Sequence, residues 1–199
     1  MCRFDEDDDI DDDDDRSSTP TQAQQVLSSS QLNEALIAAV CEGSILKVQS
    51  LLGQHADIHA RNGEMRETPL HLASKHGHHQ CIELLLDRHA NINARCWISC
   101  TPLHLASRNG HRQCIELLLD RHANINDRSD SSITPLHLAS MSGHHQCIEL
   151  LLDRHADINA RCWNSETPLH DASFFGQLQC AELLIDHGAD KSIINVRLV

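Results

Sequence analysis

Cysteine and histidine are the side chains of this chain that are best suited to chemistry, and both are abundant. The 199 residues include nine cysteines and 16 histidines. Closely spaced thiolates and imidazoles could bind zinc, paired thiols could form disulfides, and a thiol beside an imidazole could act as a nucleophile. Each of these sites needs its groups to converge on one point, so their spacing along the chain distinguishes between them.

Four of the cysteines return at a fixed interval of 33 residues, at Cys81, Cys114, Cys147 and Cys180. An interval of this size indicates units stacked in a row, in which equivalent atoms of neighbouring helices lie roughly 8–10 Å apart. A disulfide needs Cα atoms within about 7 Å, so these four are predicted to be small core hydrophobes. Cys96 and Cys100 have no second pair at zinc-ligand spacing to accompany them. No disulfide, metal or other cofactor is therefore predicted.

Four of the histidines lie inside a repeated hexapeptide with the same period. The peptide Thr68-Pro69-Leu70-His71-Leu72-Ala73 returns three times, and the last copy reads Thr167-Pro168-Leu169-His170-Asp171-Ala172. Catalysis would need a nucleophile or a carboxylate to converge with each histidine, and no such partner is patterned to do so. The chain also lacks a phosphate-binding loop and a nucleophile elbow. We therefore predict a structural role for these histidines and no enzymatic activity.

The residues around the histidines indicate a pair of helices in each unit. Thr68 is suited to cap a helix, Pro69 fits its first position, and Gly77 can end it in a left-handed conformation. A second helix follows, whose residues 81–86 are apolar except Glu83. Such a short helix is marginal alone, and its apolar surface needs neighbours. Several stacked units are therefore required, which predicts a helical solenoid.

The second unit resembles an ankyrin repeat. Residues 67–99 read ETPLHLASKHGHHQCIELLLDRHANINARCWIS, similar to the ankyrin pattern of TPLHxA, Gly-His and a leucine-rich helix. The resemblance covers about five repeats, at approximately 31–66, 67–99, 100–132, 133–165 and 166–198, of which the first is degenerate. It implies an all-α repeat solenoid of helix-turn-helix units with short β-hairpin fingers. It also implies that the repeated histidine hydrogen-bonds to the backbone and to the capping threonine.

Histidine also stands at the end of the second helix, where the ankyrin pattern prefers glycine: His55, His89, His122 and His155. Repeat five keeps Gly188 at this place. The position is predicted to adopt the left-handed conformation, which costs a non-glycine residue on the order of 1 kcal/mol.

The resemblance implies a non-catalytic interaction module: an adaptor, a scaffold or an inhibitor that binds a protein partner of unknown identity. A targeting or regulatory subunit of a larger complex, such as the substrate receptor of a ubiquitin ligase, is the alternative. Nucleic acid is not expected as a partner, because the formal net charge is −13. With no apolar run of about 18 residues and no apolar signal core, we expect no membrane association and an intracellular location, cytoplasm or nucleus. We expect a monomer, and self-association through the C-terminal repeat stays open.

Partner-binding residues are expected where the repeats differ, because the shared positions serve the fold. In the ankyrin family two variable sets line the concave groove that binds partners. The first set lies near the end of the first helix: Lys75, His76, Arg108, Asn109, Met141, Ser142, Phe174 and Phe175. The second set lies at the finger tips: Trp97, Ile98 and Trp163. Such a groove runs from basic to apolar and suits a peptide with acidic and hydrophobic ends.

The aromatic candidates have alternative structural interpretations. An exposed tryptophan is a good interface anchor, but Trp97 and Trp163 could each fold back over their own finger. Phe174 and Phe175 could equally pack within the terminal repeat.

Three asparagines of the fingers are candidates for modification. Asn93, Asn126 and Asn159 each follow a leucine by eight residues. This spacing resembles the pattern favoured by the asparaginyl hydroxylase that modifies ankyrin arrays in animals. Alternatively, each asparagine hydrogen-bonds within its own hairpin.

Residues 1–30 form a segment of different composition. The stretch Asp5 to Asp15 is acidic at every position except Ile10. Like charges repel and no apolar face is present, so the segment is predicted to be disordered. It is either a solubilising tail or an arm that recruits a basic partner or competes for the basic part of the groove.

Overall fold

The computed structural model describes residues 27–192, which contain ten α-helices arranged as five consecutive pairs. The first helices of the pairs are α1 (Ser29–Cys41), α3 (Pro69–His76), α5 (Pro102–Arg108), α7 (Pro135–Ser142) and α9 (Pro168–Phe174). The second helices are α2 (Ile45–Gly53), α4 (His79–Asp87), α6 (Arg112–Asp120), α8 (His145–Asp153) and α10 (Leu178–Asp186). Each first helix packs on the first helix of the next pair, and each second helix packs on the next second helix. The predicted all-α repeat solenoid is confirmed.

The repeated hexapeptide starts every first helix from α3 to α9. Thr68 has an extended backbone, and its hydroxyl accepts a hydrogen bond from the backbone N–H of His71. The His71 ring in turn accepts from the backbone N–H of Thr68, which completes a capping box. The same arrangement recurs at Thr101, Thr134 and Thr167. Because such a cap contributes about 1 kcal/mol, the hexapeptide fixes where each of these helices begins.

Glycine ends the first helix, as predicted, and it also admits the next repeat. Gly77 has a φ of 79° at the end of α3. A Cβ at this position would lie 2.7 Å from Nδ1 of His111 in the following repeat. The Nε2–H of His111 donates to the carbonyl oxygen of Lys75 at 3.0 Å, which holds the ring there. Any other residue at position 77 would therefore strain the backbone and displace the neighbouring repeat.

The core is formed by side chains of both helices of each pair. Cys81, Ile82 and Leu85 of α4 are at most 1% exposed. The equivalent cysteines Cys114, Cys147 and Cys180 are buried in the same way and are free thiols. Their predicted role as small core side chains is confirmed. Stacking thus removes from water an apolar surface that no single pair could bury by itself.

The fingers between the pairs are turns, and not the β-hairpins that the resemblance implied, because residues 27–192 contain no β-strand. In the finger between α4 and α5, the N–H of Cys96 donates to the carbonyl oxygen of Cys100 at 3.0 Å. The N–H of Ser99 donates to the carbonyl oxygen of Cys96, also at 3.0 Å. These two bonds close one tight turn. Too few residues flank the turn to extend the pairing into a ladder.

The helix ends after α2, α4, α6 and α8 confirm the left-handed conformation predicted for histidine. His55, His89, His122 and His155 have φ values of 69°, 65°, 66° and 66°. Gly188 occupies the equivalent place in the last repeat with a φ of 89°.

The array begins slightly earlier than the predicted boundary at residue 31. Helix α1 starts at Ser29 because Ser28 and Gln31 form a capping box. Residues 1–26 of the predicted disordered tail, and residues 193–199 at the C-terminus, lie outside the residues that the structure describes.

Candidate functional site

The repeated histidines link neighbouring repeats, and both ring nitrogens are occupied. Nδ1 of His71 accepts from the N–H of Thr68 at 3.2 Å, and Nε2–H donates to the carbonyl oxygen of Cys100 in the next repeat at 2.9 Å. His104 and His137 make the same contacts. Burial lowers the pKa of all three, to about 4 for His137. These imidazoles are therefore neutral at pH 7, and their predicted structural role is supported by these bonds.

The buried thiols are protonated at neutral pH. Burial raises the pKa of Cys100 and Cys114 to about 12 and that of Cys147 to about 11. Because the thiolate is the reactive form of cysteine, these groups are inert packing side chains.

Residues 27–192 contain neither a cluster of metal-binding side chains nor a membrane-spanning helix. No group of three or more His, Cys, Asp or Glu side chains in this range is placed to hold a metal ion. No helix in it combines the length and the apolar character that crossing a bilayer would require.

The last turns of the first helices and the tips of the fingers each form a row along the stack, and we call the two rows together the groove face. Its helix row contains Lys75, Arg108, Met141 and Phe174, and its finger row contains Trp97, Asp130 and Trp163. The fingers are tied to one another through the backbone. The N–H of Trp97 donates to the carbonyl oxygen of Met65 at 3.0 Å, and the N–H of Trp163 donates to that of Ser131 at 3.1 Å. Each indole is thus carried on a fixed backbone.

The side chains of both tryptophans extend into solvent. Trp97 is 66% exposed and Trp163 is 67% exposed, so neither indole is buried beneath its own finger. Ile98 beside Trp97 is also exposed. Large rigid apolar side chains held in this way are typical of interface anchors.

At the N-terminal end of the groove face, positive charge is partly compensated within the chain. The Lys75 ammonium lies 3.2 Å from a carboxylate oxygen of Glu67, whose side chain is almost fully buried. Arg108 is exposed and forms no ion pair with any residue in the range 27–192. The basic character expected of this end therefore rests on Arg108 more than on Lys75.

The polar candidates beside the helix row make contacts with residues close to them in the chain. The His76 ring stacks against that of His78 at 6.0 Å between centroids, and the Asn109 amide donates to the carbonyl oxygen of Leu105 at 2.8 Å. Ser142 is half-buried beside Met141. None of these contacts prevents the exposed atoms from meeting a partner.

At the other end of the face, four of the predicted residues come together around one depression. Met141, Trp163, Phe174 and Phe175 line a space of about 880 Å³, which we call the C-terminal groove. Phe174 is 83% exposed, and its ring meets that of Phe175 edge to face at 5.2 Å. Phe174 is therefore not packed into the terminal repeat. Lys75, Arg108 and Trp97 lie in earlier repeats and do not line this groove.

The C-terminal groove also contains an acidic group that the sequence-based site did not include. Asp171 of α9 lines the groove and is only 7% exposed. Burial, together with the like charge of Glu166, raises the pKa of Asp171 to about 7. A signal for this residue was present in the sequence, because it replaces the leucine of the repeated hexapeptide.

Two ladders of side chains between the fingers were also absent from the sequence-based site. The Arg95 guanidinium bonds to the Asp127 carboxylate and to the carbonyl oxygen of Arg128, and Arg128 reaches that of Arg161 at 2.7 Å. Only the recurrence of arginine with the repeat period could have indicated this ladder.

The candidate modification sites form the second ladder. The Asn126 side-chain oxygen accepts from the backbone N–H of Asp157 at 2.9 Å, and Asn93 and Asn159 make the equivalent contact at 3.2 and 2.9 Å. These hydrogen bonds join successive repeats and do not close a hairpin. Modification of the three asparagines remains a prediction.

Comparison with known proteins gives one family match. The family model described as Ankyrin repeats (3 copies) matches residues 36–129 and 122–195. A search of curated proteins finds no match.

Proposed function

The chain belongs to the ankyrin repeat family, whose repeats are generally protein–protein interaction modules, and from that premise we propose that it is a non-catalytic adaptor, scaffold or inhibitor whose partner lies along the groove face. The proposed contact residues are those of the two variable rows. Fold alone does not choose a binding surface, so the proposal depends on the side chains that the stack leaves exposed.

The observation that carries the proposal is the placement of large apolar side chains on this face. The exposed fractions of Trp97, Trp163 and Phe174 are 66%, 67% and 83%. Aromatic side chains are enriched in interface hot spots because they bury a large area and have few rotatable bonds to restrict.

Three features equip the face for a specific partner. The backbone of the finger row is held by hydrogen bonds between neighbouring fingers, so binding orders few additional groups. Arg108 supplies a positive charge at one end, which suits an acidic side chain of the partner. The C-terminal groove supplies an apolar depression at the other.

The test is affinity capture with the intact chain and with a triple variant, Trp97→Ala, Arg108→Ala and Trp163→Ala. We expect captured proteins to be lost with the triple variant while its circular dichroism spectrum stays unchanged, because all three side chains are exposed. Leu46→Ala is the matched control, since Leu46 is an 80% exposed apolar residue of α2 outside the groove face. If the triple variant retains the captured proteins, or if Leu46→Ala loses them, the interface is elsewhere.

A further inference from the structure

Asp171 departs from the pattern of its own array. The equivalent position holds leucine in repeats two to four, as Leu72, Leu105 and Leu138. Leu72 and Leu105 are 3% and 7% exposed, and Asp171 is 7% exposed. A carboxylate therefore occupies a place that repeats two and three give to a buried apolar side chain. Burying such a group without a partner is costly, so its presence calls for a reason other than folding.

The Asp171 carboxylate has no such partner among residues 27–192. Neither a hydrogen bond nor an ion pair from these residues reaches its oxygens, and the one charge that acts on it, that of Glu166, has the same sign. Lys191 also lines the groove, but it is exposed and makes no ion pair within this range. The C-terminal groove thus contains a carboxyl group, which we call its floor, that no cation of the described residues pairs with.

Aromatic side chains also line the C-terminal groove, and we call them its walls. Trp163, Phe174 and Phe175 line the groove together with Met141 and Asp171. Aromatic faces attract cations, and the aliphatic stem of arginine or lysine packs well on apolar surface while its head group reaches a polar site. An anionic side chain would be repelled by Asp171, and a purely apolar one would leave the carboxylate buried without a partner. A cationic side chain gains from both the floor and the walls.

We propose that the C-terminal groove binds a segment of a partner protein through one cationic side chain, arginine or lysine, which pairs with Asp171 between the aromatic side chains. Apolar residues flank this cation in the segment and cover Met141 and Phe174. The inference rests on the proposed function and adds the chemistry that the partner must present. Arginine is the better fit, because its planar guanidinium stacks on aromatic rings and bonds to a carboxylate through two nitrogens.

The test selects random 12-residue peptides displayed on phage, in parallel on the intact chain and on Asp171→Leu. That substitution restores the residue of repeats two to four, so the variant is expected to fold. Selected peptides are resynthesised with a fluorescent label, and their dissociation constants are measured by anisotropy. Each is compared with a copy in which arginine is replaced by citrulline or lysine by norleucine. Asp171→Asn tests the charge alone, and Asp153→Asn is the control, an exposed carboxylate at the end of α8.

We expect peptides selected on the intact chain to be enriched in one basic residue between apolar residues, relative to those selected on Asp171→Leu. Asp171→Asn and the neutral peptides should each weaken binding at least about tenfold, the effect of losing a hydrogen bond to a charged group. Asp153→Asn should leave the dissociation constant within about twofold, as for an exposed charge.

The inference would be overturned if peptides selected on the intact chain and on Asp171→Leu contained basic residues equally often. It would also be overturned if neither selection enriched any peptide. Affinity that is unchanged in Asp171→Asn would overturn it as well. If selected peptides lose binding to the variant Trp97→Ala, Arg108→Ala, Trp163→Ala but bind Asp171→Asn normally, the groove face stands as the interface and the cation site is wrong. If neither variant affects binding, both proposals fail.

Discussion

Replacing Asp171 by leucine should stabilise the array, and by more at high pH than at low pH. The folded-state pKa of Asp171 is raised to about 7 from an ordinary value of 3.8. The folded chain therefore holds a proton that the unfolded chain has released between these two values. Stability falls as the pH rises through this window and then stays level above about pH 7. Substitution by leucine removes that loss.

The size of the effect follows from the same pKa. One pKa unit corresponds to about 1.4 kcal/mol, so the raised pKa of Asp171 lowers the free energy of unfolding by about 4 kcal/mol at pH 8 and by about 1.7 kcal/mol at pH 5, before any allowance for solvent. Because part of the carboxylate faces the open groove, we expect the pH-dependent difference to be about 2 kcal/mol. Asp171→Leu adds a pH-independent gain of about 1.5–3 kcal/mol from apolar burial.

The assay is urea unfolding of the intact chain, Asp171→Leu and Asp171→Asn at pH 8 and pH 5, followed by far-UV circular dichroism. Both variants should raise the free energy of unfolding more at pH 8 than at pH 5, and Asp171→Asn isolates the charge. A destabilised Asp171→Leu, or a gain that is equal at the two pH values, would show that the carboxylate is already paired or hydrated.

Three other predictions concern the repeated histidines and the arginine ladder. Between pH 7 and pH 5, His137 alone should lower the free energy of unfolding by about 2 kcal/mol. Its folded-state pKa of about 4 lies below the ordinary 6.5, so the unfolded chain takes up the proton first as the pH falls. In urea titrations, His137→Gln, which keeps a capping side chain, should show a smaller fall. The triple variant His89→Gly, His122→Gly, His155→Gly should raise the midpoint of thermal unfolding, since each histidine has a positive φ that costs on the order of 1 kcal/mol; an unchanged or lower midpoint would contradict this. Arg95→Ala should destabilise the array by about 2–3 kcal/mol, because it leaves the buried Asp127 carboxylate without its ion-pair partner. The control Arg161→Ala, in the last finger, should change the unfolding midpoint little. Equal effects of the two substitutions would refute the ladder.

The parts of the fold that could be predicted from the sequence are those fixed by short-range rules. The capping threonine, the proline after it and the glycine at the helix end each act within one turn of the chain, and they were predicted at residues 68, 69 and 77. The left-handed histidine at position 89 was predicted because the repeat period aligns it with Gly188, at a place where the ankyrin pattern prefers glycine. The buried cysteines followed from the same period.

The parts that could not be predicted depend on which atoms meet across repeats. The ion pair of Lys75 with Glu67, the bond from Asn93 to the next finger and the contacts of Arg95 all require side-chain conformations that a sequence pattern does not specify. The absence of strands in the fingers of the described residues depends on how few backbone pairs each turn closes. Asp171 was visible as an exception to the hexapeptide, but its burial in a groove that aromatic side chains also line was not.

The most direct test of the groove face as the binding surface uses the chain's own fluorescence. The chain contains two tryptophans and no tyrosine, so its emission reports on positions 97 and 163 alone. Acrylamide quenching is measured for the free chain and for its complex with a segment of a captured partner made without tryptophan or tyrosine, and Trp97→Phe and Trp163→Phe separate the two signals. We predict that both indoles are readily quenched in the free chain and become protected in the complex. Quenching that is the same in the two states, with the complex demonstrably formed, would contradict recognition through this face.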